Sequence, residues 1–336
     1  MVLAMIVQPL VFEPIYKPKI WGGNHIFTCF DREKTSTEPI GESWELADLE
    51  EDQSRVAIGE AQGKTLTELV ADWGKKLMGQ VKLIDGRFPL LIKFLDARQS
   101  LSVQVHPNER VARKLGGNVR VKHEAWYILA TNPGGSIYHG LEPGIDARTF
   151  REAMVTGQVQ GVLRRIDVQP GDCYYLPSGT PHALGQGVLV AEVQTPSDIT
   201  YRTYDWGRVD SKTGQTRELH LDQAMECIDF ESPQPSPMQE RSHLANMAMT
   251  ITRLVSCPSF IIEKVRIAEG ARQHIARGEP AVWMMLEGEA VIAWEQGTEP
   301  IHVRAGNVIL LPADLPTDAA VTVTKPAEWL DVTVPV

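Results

Sequence analysis

Residues 171–182 read Gly-Asp-Cys-Tyr-Tyr-Leu-Pro-Ser-Gly-Thr-Pro-His, and this stretch decides the fold class. Gly171 opens a turn, and the residues after it have the aromatic and apolar character of a strand. Pro177 closes that strand because proline cannot donate to a sheet ladder. A tight turn at Ser178 and Gly179 then delivers His182. The spacing G-x5-P-x-G-x2-H fixes five features in order, whereas a lone histidine in a turn would read as an ordinary surface residue. Residues 306–312, Gly-Asn-Val-Ile-Leu-Leu-Pro, repeat the first half of the pattern. That copy continues Ala-Asp-Leu-Pro-Thr, with Thr317 where the histidine would fall. Two such units imply two similar β-domains, of which only the first keeps a metal-binding residue at this place.

Outward from this stretch the chain reads mostly as short strands between glycine and proline turns, the pattern of sandwiches and barrels. Strand-like runs fall at 88–95, 101–105, 126–130, 172–176 and 189–194, and again at 251–255, 260–265, 281–286, 289–294, 307–311 and 320–324. Helical patches interrupt them. Residues 65–78 open with a capping box, Thr65 with Glu68 three residues on, and set Leu66, Leu69, Val70, Trp73 and Leu77 on one face. Residues 146–156 form a second helix with Asp146 as N-cap and Phe150 and Met154 buried, and residues 219–228 a third. Three prolines within residues 232–238 mark a linker or an extended crossing. The expected organisation is mainly β: an N-terminal barrel with helical insertions over 1–231, a linker over 232–250, and a C-terminal barrel without metal ligands over 251–336. Residues 131–144 read as an inserted loop.

At 336 residues the chain is long enough for two domains with separate cores. Lysine and arginine total 33 against 43 aspartates and glutamates, a net charge of −10. That balance argues against a nucleic-acid partner. It leaves an anionic small molecule open, because a phosphate is held by a few local cations. The opening MVLAMIVQPLVF lacks a basic flank and a small-residue cleavage site, so it is not read as a signal peptide. No apolar run reaches the ~18–20 residues of a membrane span. A cytoplasmic protein with no membrane partner is expected. Cys29, Cys173, Cys227 and Cys257 form no CxxC pair and read as free thiols.

Three more segments carry chemistry. In 101–107, Leu-Ser-Val-Gln-Val-His-Pro, strand alternation points Gln104 and His106 to one side; a polar strand end at the surface is the competing reading. In 121–127, Val-Lys-His-Glu-Ala-Trp-Tyr, Lys122 and Glu124 share a face and His123 takes the other. A carboxylate inside a barrel is costly unless paired or metal-bound, while an exposed loop feeding a strand reads equally well. Residues 191–208 begin as a buried strand containing Glu192, then carry Asp198, Arg202 and Arg208 among aromatic residues. Arginine there suits phosphate, with its fork of paired donors, or else a structural stacking patch. Together Gln104, His106, Glu124 and His182 make a plausible four-point zinc site; two histidines disfavour calcium, and iron, manganese or cobalt would accept the same ligands.

The stretch 171–182 matches the second signature of the cupin (jelly-roll) barrel. The ordered motifs QVHP, K-x-E before WYIL, LPSGTPHA and SD-x-TYR-x-YDW-x-R together resemble the type I mannose-6-phosphate isomerases, in their shorter bacterial form. Lys19-Ile20-Trp21-Gly22-Gly23 and Ile40-Gly41-Glu42-Ser43-Trp44-Glu45 are similar to that family's early motifs. The likeness is specific over residues 10–230 and looser beyond. General cupins carry H-x-H and then a nearby glutamate; Gln104 in place of the first histidine and Glu124 eighteen residues after His106 follow the isomerase pattern. The resemblance implies one Zn2+ per chain on Gln104, His106, Glu124 and His182. It further implies Arg202 as a catalytic residue, with Lys122 and Glu192 in the active site. Pro181 departs from the family pattern, and His123 has no family role.

The activity so implied is the interconversion of mannose 6-phosphate and fructose 6-phosphate through an enediolate. A carboxylate or lysine must shuttle the proton, for which Glu192 and Lys122 are the candidates. Arg202 holds either the polarised oxygens or the phosphate, Arg208 is a lower-ranked phosphate candidate, and Lys122 is expected to bind substrate as well. The partner expected is a small-molecule sugar phosphate, and the chain is expected to be a monomer or a homodimer. A metal-dependent cupin dioxygenase fits Gln104 and the Arg202 segment poorly. A non-catalytic sugar-phosphate-binding cupin is opposed by the presence of every apparent ligand. A fused nucleotidyltransferase is opposed by the lack of a glycine-rich phosphate cradle. His274 and His302, in the C-terminal part, read as surface or satisfied histidines.

Overall fold

The computed structural model describes residues 7–34, 36–117, 119–210, 213–231, 236–275, 277–295 and 299–336. Of the expected linker, residues 232–235 lie outside the described residues. Chain compactness follows a discontinuous scheme. One unit comprises residues 1–15, 44–91 and 239–336, and the other residues 16–43 and 92–238.

Among the described residues the strands form three sheets. The six-stranded sheet runs in the order Ile15–Gly23, Ile40–Leu46, Leu91–Ala97, Val188–Gln194, Glu124–Thr131, Cys173–Leu176. The five-stranded sheet runs Tyr201–Tyr204, Val103–Val105, His182–Leu184, Ser136–Leu141, Leu163–Asp167. Alternation gives each strand of this second sheet two different faces. Val103, Val105, Tyr138 and Ala183 pack outward with Phe150, Met154, Ala224 and Cys227 of the helices Ala147–Thr156 and Leu221–Cys227. Ile137 and Leu184 face the other way, into a core shared with Leu95, Trp126, Ile128 and Val190 of the six-stranded sheet. Gln104 and His182 belong to that inner side by parity. The two early motifs meet as neighbouring strands: a Cβ on Gly22 would lie 2.5 Å from the Gly41 backbone nitrogen, so the approach requires glycine.

Two expectations change here. Residues 131–144 are not a loop. Ser136–Leu141 is a fully buried strand between His182–Leu184 and Leu163–Asp167, because Ile137 packs into one core while Tyr138 and Leu141, either side of a register shift, pack into the other. Residues 65–78 do not form one helix. Thr65 builds the anticipated capping box with Glu68, but Leu66–Trp73 stops at Gly74, whose φ of 49° and ψ of −118° no other residue adopts readily, and Lys75–Met78 resumes beyond it.

The third sheet carries the C-terminal strands in the order Leu10–Val11, Val308–Leu311, Ala281–Ala293, Ala320–Thr333, Ile261–Ile267, Met249–Ser256, Ser242–Ala245. The hairpin of Ser242–Ala245 with Met249–Ser256 begins inside the stretch expected as linker. Val265, Ile267, Trp283, Ile292, Val321 and Trp329 belong to its core. Gly171 (φ 92°) and Gly306 (φ 84°) both open their strands from left-handed turns, as the internal repeat requires.

Candidate metal centre and active site

Register builds the site. Gln104 is the Cα partner of His182 on one side and of Arg202 on the other. Directly opposed residues in antiparallel strands present their side chains on the same face. One row across three strands therefore carries Arg202, Gln104 and His182. His139 continues it as the partner of His182. From the facing sheet comes Glu124, the first residue of its strand and the partner of Gln194.

His106, Glu124 and His182 are each 1 % exposed, and their ligand atoms all lie within 4.8 Å of one another. His106 Nε2 sits 3.1 Å from Glu124 Oε1, and His182 Nε2 sits 3.3 Å from Glu124 Oε2. Each histidine places Nδ1 against a backbone carbonyl, Ile199 at 3.0 Å for His106 and Thr180 at 2.8 Å for His182. A carbonyl only accepts, so Nδ1 carries the proton and Nε2 presents its lone pair to the cluster. Both Nε2 atoms and Glu124 Oε2 are buried without a hydrogen-bond partner. Burial of polar atoms in this state is costly, and a cation bound at that point satisfies all three. Burial and the neighbouring Lys122 push the His106 imidazolium down to about 3, so the ring is neutral and ready to coordinate. Burial alone would raise Glu124, but Lys122, His106 and His182 outweigh it and hold the carboxyl well below its usual range. Gln104 lines the same cavity as Glu124.

That cavity, of about 170 Å3, lies within the unit of residues 16–43 and 92–238. Lys19, Lys93, Lys122, Arg202 and Arg217 line it against Glu42, Glu124, Glu192 and Asp198. Lys122 Nζ is 2.7 Å from Glu124 Oε1. Glu192 is 3 % exposed; it accepts a hydrogen bond from Trp126 Nε1 at 2.9 Å and pairs with Lys93 at 3.4 Å. Burial, with Glu124's charge added, raises the Glu192 carboxyl against the pull of Lys93 and Lys122. Lys93 is raised in turn, because Glu192 and Glu42 overcome its desolvation. Lys19 closes the chain of charges, 3.0 Å from Glu42.

Arg202 lines the cavity while donating to Ser102 Oγ at 3.3 Å and to the Glu218 carbonyl at 2.8 Å. Arg208 is absent from the cavity lining; its guanidinium donates to the Ser100 carbonyl at 2.5 Å and to Asp205. Arg217, also paired with Asp205 (2.8 Å from Nε), takes the place by the cavity. His123 turns away from the cluster, where its Nδ1 accepts from Ser178 N–H at 3.2 Å and meets Tyr175 Oη at 3.1 Å. It thus braces the turn that leads to His182. Sequence reasoning missed Lys93, Lys19, Glu42 and Arg217. A signal existed for Lys93: one lysine amid the apolar run of Leu91–Ala97 must be paired if buried. Lys19 and Glu42 sit inside the two early motifs.

Sheets packed over a buried His–Glu–His cluster define a mainly β protein of the cupin class with a candidate metal site. Residues 10–129 match the family described as phosphomannose isomerase type I, catalytic domain. The chain is 36% identical over 321 residues to mannose-6-phosphate isomerase ManA of Bacillus subtilis (strain 168), covering 93% of this chain and 95% of that protein. It is 33% identical over 310 residues to a mannose-6-phosphate isomerase of Streptococcus mutans, covering 91% and 93%. The crystal structure of the mannose 6-phosphate isomerase from Bacillus subtilis superposes with a TM-score of 0.86 at 32% identity, covering 97% of this chain and 99% of that one. The chain belongs to the type I phosphomannose isomerases.

Proposed function

We propose that this isomerase interconverts mannose 6-phosphate and fructose 6-phosphate through an enediolate, with one zinc ion held by Gln104, His106, Glu124 and His182. The observation that carries the reading is the pair of buried histidines, each fixed through Nδ1 to a carbonyl and each offering an unpartnered Nε2 across Glu124. Two imidazoles, one carboxylate and one amide oxygen form a donor set suited to zinc. Such an ion supplies Lewis-acid stabilisation of negative charge on substrate oxygens.

The protein's own groups supply the rest. Glu192, buried and raised, is fixed by Trp126 and Lys93 and acts as the proton carrier between C1 and C2. Lys122, set against Glu124, positions that carboxylate and shares the proton traffic. Arg202 faces the cavity beside Gln104 and binds the sugar oxygens or the phosphate. Five cations against four carboxylates leave the lining favourable to a phosphate dianion even before an ion is counted. Arg208 acts at one remove, through Asp205, which it shares with Arg217.

The test couples metal analysis with an assay of mannose 6-phosphate conversion to fructose 6-phosphate. One zinc per chain is expected, with activity lost on chelation and restored by zinc. Full turnover in protein verified to be metal-free would overturn the metal assignment; a metal-loaded chain that converts no mannose 6-phosphate would overturn the substrate assignment.

A further inference from the structure

Charge is unevenly spread around the active-site cavity. On one side Lys19 pairs with Glu42 at 3.0 Å, Lys93 with Glu192 at 3.4 Å and Lys122 with Glu124 at 2.7 Å. Asp198 adds a further carboxylate there, since its charge helps to raise Lys93. These lysines are matched by acids and hold no surplus charge for an anion. On the other side Arg202 and Arg217 line the cavity, with Arg208 just outside the lining. The buried carboxylate on this side is Asp205, and Arg208 and Arg217 share it.

Backbone pairing fixes where the arginine side lies. Arg202 is the Cα partner of Gln104, and Gln104 that of His182. Two inter-strand spacings, about 10 Å, separate the Arg202 and His182 backbones. The His220 N–H donates to the Arg202 carbonyl at 2.7 Å, and Arg202 Nη1 donates to the Glu218 carbonyl at 2.8 Å. The segment that carries Arg217 therefore runs along the outer edge of Tyr201–Tyr204, and Arg217 reaches the cavity from there. Its guanidinium is held at two points: Nε donates to Asp205 Oδ2 at 2.8 Å and Nη2 donates to Oδ1. That grip uses one edge of the fork and leaves Nη1 without a hydrogen bond among the described residues. Arg202, engaged through Nε and Nη1, leaves Nη2 in the same way. Burial first, and then the charge of Arg217, lower the Arg202 guanidinium, so the two cations feel one another. An anion shared between them relieves that repulsion.

We propose that Arg217 is a specificity-determining residue that holds the substrate's phosphate together with Arg202, so that the carbons being isomerised point toward Glu192 and His182. This assignment rests on the isomerase reading above and adds the direction in which the substrate lies. A phosphate monoester carries close to two negative charges and three strong acceptor oxygens. Two guanidinium groups, each with a terminal nitrogen to give, match it in charge and in geometry. Asp205 is the positioning residue: it fixes the Arg217 fork before substrate arrives and so lowers the ordering cost of binding.

Steady-state kinetics with mannose 6-phosphate and calorimetric titration with inorganic phosphate at constant ionic strength test this on the metal-loaded full chain and on Arg217→Met, Arg217→Lys and Arg208→Met. Arg217→Met keeps the aliphatic stem and removes the charge. Its KM should rise at least about 20-fold with kcat changed less than about 3-fold, the scale of one lost charge-assisted hydrogen bond, and its affinity for inorganic phosphate should fall in step. Arg217→Lys keeps the charge without the fork and should recover part of the loss. Arg208→Met loosens the same Asp205 from outside the cavity, and its KM should rise no more than about 5-fold. A KM for Arg217→Met within about 3-fold of the unmodified chain overturns the proposal, as does a fall in kcat alone. An affinity for inorganic phosphate that Arg217→Met leaves unchanged, or an equal loss in Arg208→Met, overturns it too. A chain that binds inorganic phosphate through Arg217 yet converts no mannose 6-phosphate overturns the isomerase reading instead and leaves the phosphate site standing. Circular dichroism reports whether each variant is folded. If Arg217→Met unfolds, Arg217→Lys carries the test, and a KM and phosphate affinity equal to those of the unmodified chain then overturn the proposal.

Discussion

Glu192 shows how one position can be tuned by its neighbours. Trp126 fixes one oxygen and Lys93 the other, while burial and the charge of Glu124 keep the proton affinity raised. Glu192→Gln preserves the shape and the Trp126 hydrogen bond but cannot carry a proton. Its kcat should fall at least about 100-fold with metal content unchanged; near-normal turnover would pass the proton role to Lys122. His139 permits a prediction about pH. Its ring is fully buried beside His182 and Arg164, with Nε2 2.8 Å from the Tyr175 carbonyl, and burial pushes it down to about 4. The folded value lies below the unfolded one, so the unfolded chain takes up a proton first as pH falls. Its stabilising effect is complete above about pH 6.5 and is lost toward pH 4. Between pH 7 and pH 5 the loss is about 2 kcal/mol. Urea unfolding of His139→Gln should show a correspondingly smaller decline over that interval; an identical decline would remove His139 as a source of acid sensitivity.

The helices show which signals survive into the folded chain. Both helix starts foreseen from local chemistry form as capped ends, Thr65 with Glu68 and Asp146 accepting from Thr149 N–H at 2.7 Å. Such caps are legible because every atom involved lies within four residues. Thr65→Ala should therefore cost about 1 kcal/mol in urea unfolding while leaving isomerase activity unchanged. A cost near zero would mean that packing alone sets the start of that helix. The break at Gly74 was hidden, since the apolar spacing continues through it. Strand Ser136–Leu141 was hidden for another reason. The glycines and Pro133 around it look like punctuation, and its burial depends on partners at 163–167 and 182–184 that no local pattern reveals. Alternation reads Gln104 with His106, and Lys122 with Glu124, on common faces; Gln104, Lys122 and Glu124 line one cavity, although His106 and Lys122 lie just outside their strands. The turn signature supplied His182. Arg217 stayed invisible, because its position beside the cavity depends on Asp205 across a hairpin.

Across the whole chain, pairing at long range sets the organisation. Leu10 opposes Leu310 in the C-terminal sheet, and the Ala313 backbone N–H donates to the Leu77 carbonyl. Residues near the start thus belong to the same compact unit as residues near the end. A reading that moves from one punctuation mark to the next cannot see such connections. The row of Arg202, Gln104 and His182 has the opposite character: it spans three short strands, and each member is fixed by its neighbour's backbone. Insertion or deletion of a single residue between 101 and 104 would reverse the facing of Gln104 and carry its amide into the helix-covered layer. If Gln104 holds the ion proposed above, the ion would then lose one of its four ligands while the rest of the sheet keeps its pairing. Length variation in this lineage should accordingly be tolerated around the exposed turn at Gly214 and be lethal to activity in the few residues before His106.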